Sequence, residues 1–215
     1  MICKCFGIIS YLPDDELIRK ARFEKLCKLI ETCNQLFNLP IYIVIQNYKD
    51  ELEYLSRYKN VTVSENYSRC GIVGARKKLR EWFLSSIYDC LIMLDDDCEI
   101  IGTREAAKQY IEMVESHPGY YGMFKGTQLK LFSIDKNIFA QVDFDNVNPE
   151  SGEGFEDTIF VNRLKKKFPK RGFSFCINGL KETSICTADT LSTWYSTQNL
   201  KDMLAKTHNI TEKMM

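Results

Sequence analysis

Cys90-Leu91-Ile92-Met93-Leu94-Asp95-Asp96-Asp97 is the stretch whose reading decides the fold. Its first five residues are continuously apolar, as in a strand buried on both faces. A free cysteine in such a run behaves as a small hydrophobe. The run stops abruptly at three aspartates. Like charges crowded after a buried strand raise one another's pKa unless a cation is present. An acidic turn exposed to solvent is the bland alternative. Open α/β sheets, however, take their ligands at the carboxyl ends of strands. Mg²⁺ and Mn²⁺ prefer carboxylate oxygens together with substrate phosphates. The cluster therefore reads as a place to hold such an ion against a diphosphate.

Upstream, strand and helix signals alternate. Phe6-Gly7-Ile8-Ile9-Ser10 is a short apolar strand ending in a polar turn, and Pro13-Asp14-Asp15 supplies helix-start chemistry. Leu26, Leu29, Ile30, Cys33, Leu36 and Phe37 fall on one face of a 3.6-residue period, predicting a helix over about 15–37. Ile41-Tyr42-Ile43-Val44-Ile45 is a second buried strand and Val61-Thr62-Val63 a third. A helix carrying Ile72, Ala75, Leu79, Trp82 and Phe83 on one face then leads to the stretch quoted above. Alternation of this kind predicts a mostly parallel sheet with helices on its faces.

Downstream the pattern is less regular. A helix is expected over 104–116, strands over 120–124, 128–134 and 138–142, a loop leading into a helix over 153–168, and a last strand over 173–177. Glu153, Glu156 and Asp157 gather near that last helix's start. They suit either capping of the helix dipole or general-base chemistry. Arg163-Leu164-Lys165-Lys166-Lys167-Phe168-Pro169-Lys170-Arg171 is the one strongly basic run. It reads as a solvated helix end or as a polyanion contact through Arg163, Lys166, Lys167 and Lys170.

Gly74-Ala75-Arg76-Lys77-Lys78-Leu79-Arg80, the aliphatic strand and Leu94-Asp95-Asp96-Asp97 together resemble the core of GT-A glycosyltransferases, particularly the family-2 group. In that group an Ala-Arg-Asn element precedes an Asp-X-Asp motif. Gly154-Phe155-Glu156-Asp157 is similar to the same group's Glu-Asp motif. Lys77 stands where asparagine is usual, and a Gln-X-X-Arg-Trp element is absent. The resemblance implies one GT-A-like α/β domain over 1–215: a mostly parallel sheet flanked by helices, with a smaller antiparallel acceptor-side part. Residues 1–100 would form the nucleotide-sugar-binding half and 101–215 the acceptor-side half. It implies a nucleoside-diphosphate sugar as donor, a UDP-sugar first among them, with Mn²⁺ or Mg²⁺ as cofactor. Asp95 would contact the nucleoside, Asp97 and Asp95 the metal, and Asp96 either. Ser10, Tyr11, Gln46 and Asn47 would lie near the base, and Arg76 against donor or aspartate. His208 is a candidate for completing the metal shell.

For the chemistry, inverting transfer needs one carboxylate to take the acceptor's proton and a Lewis acid for the leaving diphosphate. Asp157 is the expected base, with Glu156 its neighbour or an acceptor ligand; retaining transfer stays open. The acceptor is a glycan or, through the basic run, DNA carrying hydroxymethylated bases as in bacteriophages. A nucleotidyltransferase would share sheet and metal but normally shows a Gly-rich, Lys-containing loop after the first strand. Ser10-Tyr11-Leu12-Pro13 lacks one. A non-catalytic carbohydrate- or nucleic-acid-binding module is the third reading.

Composition adds limits. Lysine plus arginine and aspartate plus glutamate each number 29, so net charge gives no argument for a nucleic acid or an anionic membrane. No run approaches the roughly 18 apolar residues of a membrane span, and no signal peptide is evident at Met1 to Ser10. Nine scattered cysteines without an export signal suggest reduced thiols in a cytoplasm.

Overall fold

The structure is a computed structural model that describes residues 2–122, 129–144, 156–174 and 177–184. Met1–Thr183 forms one compact unit and Ser184–Met215 a second; the fold described is that of the first.

The first hundred residues alternate as their sequence predicts: β1 (Lys4–Tyr11), α1 (Glu16–Leu36), β2 (Ile41–Gln46), a short α2 (Glu51–Leu55), β3 (Val61–Val63), α3 (Gly71–Ser85) and β4 (Cys90–Asp95). Asp15 starts α1 by accepting the Ile18 amide at 3.0 Å, which satisfies a helix donor that has no partner within the helix. β3, β2, β1 and β4 lie side by side in that order, all parallel. The chain moves outward from β1 to β3, then returns to place β4 on the other side of β1. That reversal is a topological switch point, where a crevice opens between strand ends. Ile9 pairs with Asp95 and Tyr11 with Gln46, so Ser10, Tyr11, Gln46 and the acidic cluster share one edge of the sheet.

The remaining elements are β5 (Cys98–Gly102), α4 (Arg104–Ser116), β6 (Tyr120–Gly122), β7 (Phe132–Asp135), α5 (Lys136–Phe139), α6 (Glu156–Lys167), β8 (Gly172–Ser174) and β9 (Leu180–Ser184). β7 runs antiparallel to β4 and to β6, and β8 completes a seven-stranded sheet beside β6. β5 and β9 form a separate two-stranded sheet.

Two cores result, one on each face of the sheet. The pleat sends alternate residues to opposite faces. Phe6, Ile8, Ile41, Ile43, Ile45, Ile92 and Leu94 pack with Leu26, Leu29 and Ile30 of α1 and Tyr110 of α4. Cys5, Ile9, Tyr42, Val44, Leu91 and Met93 pack with Ala75, Leu79 and Phe83 of α3, and with Phe139 and Phe160 of α5 and α6. Even-numbered residues of β4 thus face α1, and odd-numbered ones face α3.

Three expectations need correction. Residues 138–142 are not a strand: α5 occupies Lys136–Phe139 and a turn follows. Arg80 of α3 donates to the carbonyls of Phe139, Ala140 and Val142, satisfying the acceptors that a helix end exposes. The strand expected from 128 begins only at Phe132, after Leu131 at φ 48°. The last strand expected over 173–177 is β8, Gly172–Ser174. β5, β9 and α2 were not anticipated from the sequence.

Candidate active site

Each of the three aspartates meets its own cation: Asp95 from the end of β4, Asp96 and Asp97 from the turn that links β4 to β5. Asp95 has odd parity and meets α3: Arg76 Nη2 donates to Asp95 Oδ1 at 3.1 Å. The same nitrogen lies 3.0 Å from Asp157 Oδ1 at the start of α6. Arg76 is only 2% exposed, so a full charge sits inside the protein, held by two carboxylates. Asp157 Oδ2 also accepts the Leu129 amide at 3.1 Å. The acidic cluster and the distant Glu-Asp stretch are therefore brought to one place.

Asp96, the first residue of the turn after β4, points toward α1. Arg22 Nη2 donates to its Oδ1 at 2.7 Å and the Ser10 hydroxyl to its Oδ2 at 2.6 Å, with the Tyr11 amide at 3.4 Å. Since Ser10 gives its proton to Asp96, the Tyr48 hydroxyl, 2.7 Å away, donates to Ser10 Oγ. Burial raises the Tyr48 pKa far above its ordinary value, which keeps that proton in place. Asp96 is 5% exposed. Its carboxylate is engaged in tying β1, β4 and α1 together.

Asp97, like Asp95, is partly exposed, whereas Asp96 is buried. Lys130 Nζ lies 3.8 Å from its Oδ1, and the side chains are 12% and 21% exposed respectively. Electrostatics at Asp95 reflect the whole group. Burial pushes its carboxyl up to about 7, the negative charges of Asp157 and Asp97 push the same way, and Arg76 and Lys130 pull it down.

The loops after β1 and β2 are braced from below. Asn47, at φ 58°, donates from its side chain to Leu12 O at 2.8 Å and Asp14 Oδ1 at 2.9 Å. Buried Arg19 grips Glu51 with two nitrogens, at 2.5 and 2.9 Å, and donates to Asn47 O and Pro13 O. Arg19 holds the Glu51 carboxyl down to about 2. Gln46 accepts the Cys70 amide at 2.8 Å. Tyr11 is half-buried, with the Arg69 guanidinium 5.3 Å above its ring.

Of the expected site residues, Ser10, Tyr11, Asn47, Arg76, Asp95, Asp96, Asp97 and Asp157 gather around the carboxyl ends of β1, β2 and β4. His208 and the Glu156 side chain lie outside the described residues, as do Glu153 to Phe155. Arg22, Tyr48 and Lys130 were missed. Asp96 and Asp97 lie in the turn between β4 and β5, where strand parity no longer fixes a direction, so the sequence offers no signal for Arg22 or Lys130.

A divalent cation can be tested against this donor set. Asp95 and Asp97 offer hard oxygens at the crevice. Among the described residues, no three or more His, Cys, Asp or Glu side chains are grouped to hold an ion alone. The set fits Mn²⁺ or Mg²⁺ as an ion that a diphosphate helps to ligate.

A second concavity, of about 430 Å³, lies along α6, lined by Gln141, Val142, Asp143, Arg163, Lys166 and Lys167. Lys167 Nζ donates to Gln141 O at 3.0 Å. Arg163 and Lys167 lie roughly 9 and 15 Å along the helix from Asp157 at 1.5 Å per residue.

Comparison with protein-family models and with curated protein sequences gives no match. Solved structures do match. TarS of S. aureus, residues 1–349, superposes with TM-score 0.60 at 13% identity over 83% of this chain and 59% of that one. In its complex with UDP-GlcNAc the TM-score is 0.59, at the same identity and share of this chain and 57% of that one. The mannosyltransferase PcManGT of Pyrobaculum calidifontis, in complex with GDP-Man and Mn²⁺, gives 0.57 at 11% over 80% and 54%. A cytidylyltransferase of Leptospira borgpetersenii gives 0.54 at 11% over 83% and 78%. The chain thus spans 59% of the TarS chain it matches. At such identities the likeness is one of fold, and the fold is GT-A-like. No helix among the described residues is long and apolar enough to cross a membrane.

Proposed function

We propose that this protein is a metal-dependent glycosyltransferase of the family-2 kind, moving a sugar from a nucleoside-diphosphate sugar to an acceptor hydroxyl with inversion. One observation carries the reading: Arg76 holds Asp95, at the donor edge of the sheet, and Asp157, at the start of α6, on a single nitrogen. A donor-side carboxylate and a separate one are what inverting transfer requires. A GT-A-like fold shared with proteins in complex with UDP-GlcNAc and GDP-Man supports it.

In this reading Asp95 and Asp97 would hold Mn²⁺ or Mg²⁺, which would supply Lewis-acid stabilisation of a leaving diphosphate. Asp157 accepts the proton of the acceptor hydroxyl as its oxygen bonds to the anomeric carbon and the bond to the diphosphate breaks. Arg76 and the Leu129 amide fix the Asp157 carboxylate. Tyr11 and Arg69 border the nucleoside, a UDP-sugar being the leading donor; Glu156 is proposed as the neighbour of the base or an acceptor ligand, and His208 as a candidate metal ligand. Residues 1–100 would supply the donor half and the residues after them the acceptor half, acting in a cytoplasm. The groove along α6 receives the acceptor, a glycan or phage-type DNA.

Sugar-nucleotide synthesis is the second reading, favoured by the cytidylyltransferase likeness. One screen separates the two: nucleotide sugars with Mn²⁺ or chelator, and nucleoside triphosphates with sugar phosphates. Release of nucleoside diphosphate that needs Mn²⁺ and is lost in Asp97→Asn supports transfer. Asp157→Asn should bind donor normally yet turn over roughly 10²-fold more slowly. Release of pyrophosphate from a triphosphate would establish the second reading instead.

A further inference from the structure

The three aspartate–cation pairs are built differently, and the difference assigns a task to Lys130. Asp95 and Asp96 are held by arginines through hydrogen bonds of 3.1 and 2.7 Å. A guanidinium fork suits a fixed, buried pair. Asp97 instead faces a lysine at 3.8 Å, beyond hydrogen-bond length, so this pair is electrostatic. The Asp97 side chain is 21% exposed, whereas that of Asp96 is 6% exposed. An ammonium on a four-carbon stem can be re-aimed without moving the backbone.

The backbone that presents Lys130 is, by contrast, pinned on both sides. Leu129 gives its amide to Asp157 at 3.1 Å. Leu131 is fully buried and held at φ 48°, a left-handed conformation that a leucine rarely adopts. Strained backbone persists where the surroundings over-determine it, as at ligand clamps. Here it sets Lys130 at the mouth of the switch-point crevice, with Asp97 on one side and Asp157 one residue away through Leu129.

We infer that Lys130 is a diphosphate-binding residue: its ammonium stands in for the divalent cation at Asp97, contacts a phosphate oxygen of the nucleoside diphosphate whether or not the cation is present, and gives up Asp97 when the cation binds. This rests on the reading of the crevice as a nucleoside-diphosphate site. It gives two effects of opposite sign. Lys130 competes with the metal for Asp97, and it adds a charge-assisted contact to the phosphates. A cation with a purely structural role would produce neither.

The test measures binding, not turnover. UDP and inorganic pyrophosphate are titrated by calorimetry into wild type, Lys130→Met and Lys130→Arg in chelator, and Mn²⁺ alone is titrated by electron paramagnetic resonance. Lys130→Met should bind pyrophosphate and UDP about tenfold more weakly in chelator, and Mn²⁺ alone more tightly. Lys130→Arg should restore most of the diphosphate affinity, which guards against a folding artefact. Diphosphate affinity in Lys130→Met within twofold of wild type, or Mn²⁺ affinity unchanged or weaker, overturns the inference while leaving the proposed function standing. Failure of the wild type to bind UDP or any other nucleoside diphosphate, with or without Mn²⁺, overturns the functional reading itself.

Discussion

Asp95 and Asp157 are joined through one nitrogen: Arg76 Nη2 lies 3.1 Å from Asp95 Oδ1 and 3.0 Å from Asp157 Oδ1. Two elements far apart in the chain, the end of β4 and the start of α6, are thereby held in fixed relation by a helix that packs under both. Replacing Arg76 by Lys keeps the charge but exchanges a guanidinium nitrogen held in plane for an ammonium on a shorter, more flexible stem, which does not reproduce the bridging position. Transfer should fall by roughly 10²-fold while the protein still folds. Arg76→Met leaves two partly exposed carboxylates without the cation they share and should cost about 1–3 kcal/mol of stability. Mn²⁺ should recover part of that loss, raising the melting temperature of the Met variant more than that of wild type. Equal activity in Arg76→Lys would show that the bridge does not position the site.

Asp96 makes a contrasting prediction. Its oxygens are taken by Arg22, Ser10 and the Tyr11 amide. Asp96→Asn leaves Arg22 without its counter-charge in a nearly buried place, and urea unfolding should show a loss of about 3 kcal/mol. Arg22→Met in the same background should add much less than it costs alone, since the two act as one unit. A stable Asp96→Asn protein with selectively weakened donor binding would instead return Asp96 to the ligand role that the Asp-X-Asp resemblance implies.

Asp135 carries a stability test remote from the crevice. It pairs with Cys90 at the opposite end of β4 from the acidic cluster. Burial pushes its carboxyl up to about 6, with Asp89 adding to the shift, while the Gly119 backbone and Arg171 oppose it. The folded pKa lies above the ordinary value near 3.9. The ionised form is therefore the one the fold disfavours. Below about pH 4 the group is protonated in both states and contributes nothing. Stability is lost as pH rises from about 4 to 6, and the loss is constant above that. Asp135→Asn should gain about 1 kcal/mol at pH 7, allowing for solvent screening of a partly exposed group. It should gain nothing at pH 4. Melting curves at the two pH values check this, and a gain at pH 4 as large as at pH 7 would rule out ionisation as the cause.

The strands and helices of the first hundred residues were legible because each is fixed by its own pattern. The β-branched run Ile41–Ile45 and the 3.6-residue spacing from Leu26 to Leu36 leave little choice. α5 was misread because Ile138, Phe139 and Val142 suit either a strand or a short helix. What settles it is Arg80, a residue of another element, which caps its carbonyls. β5 needed the partner β9 to be recognised. In the site, residue types sufficed to nominate Asp95 and Asp97 as crowded carboxylates at a strand end, and Asp157 as a carboxylate at the start of a helix. Their cations were not legible: Lys130 reaches Asp97 only through strand β7 folding back beside β4. Arg76 was nominated, but its bond to both acids depends on where α6 docks.

The groove along α6 yields the prediction about the acceptor. It is lined by Arg163, Lys166 and Lys167, and it begins about two turns along the helix from Asp157. In the proposed layout the donor phosphates lie at Asp97, after the end of β4, and a polymer presenting a hydroxyl to Asp157 would continue along α6. Reversing Lys166, Lys167 and Lys170 to Glu should therefore weaken acceptor binding and leave donor binding intact. All three lysines are exposed, and Lys167 donates to Gln141 O, a bond at the surface, so the fold should hold. If the acceptor is a polyanion such as DNA, affinity should fall steeply between low and moderate salt in wild type. The slope should flatten by roughly one unit for each phosphate that the variant no longer neutralises. If it is a neutral glycan, the substitutions should change affinity little and salt should matter little. Acceptor and donor affinities at two salt concentrations distinguish these outcomes. A selective loss of donor affinity would place the run on the nucleotide side and overturn the order of donor, base and acceptor along the chain.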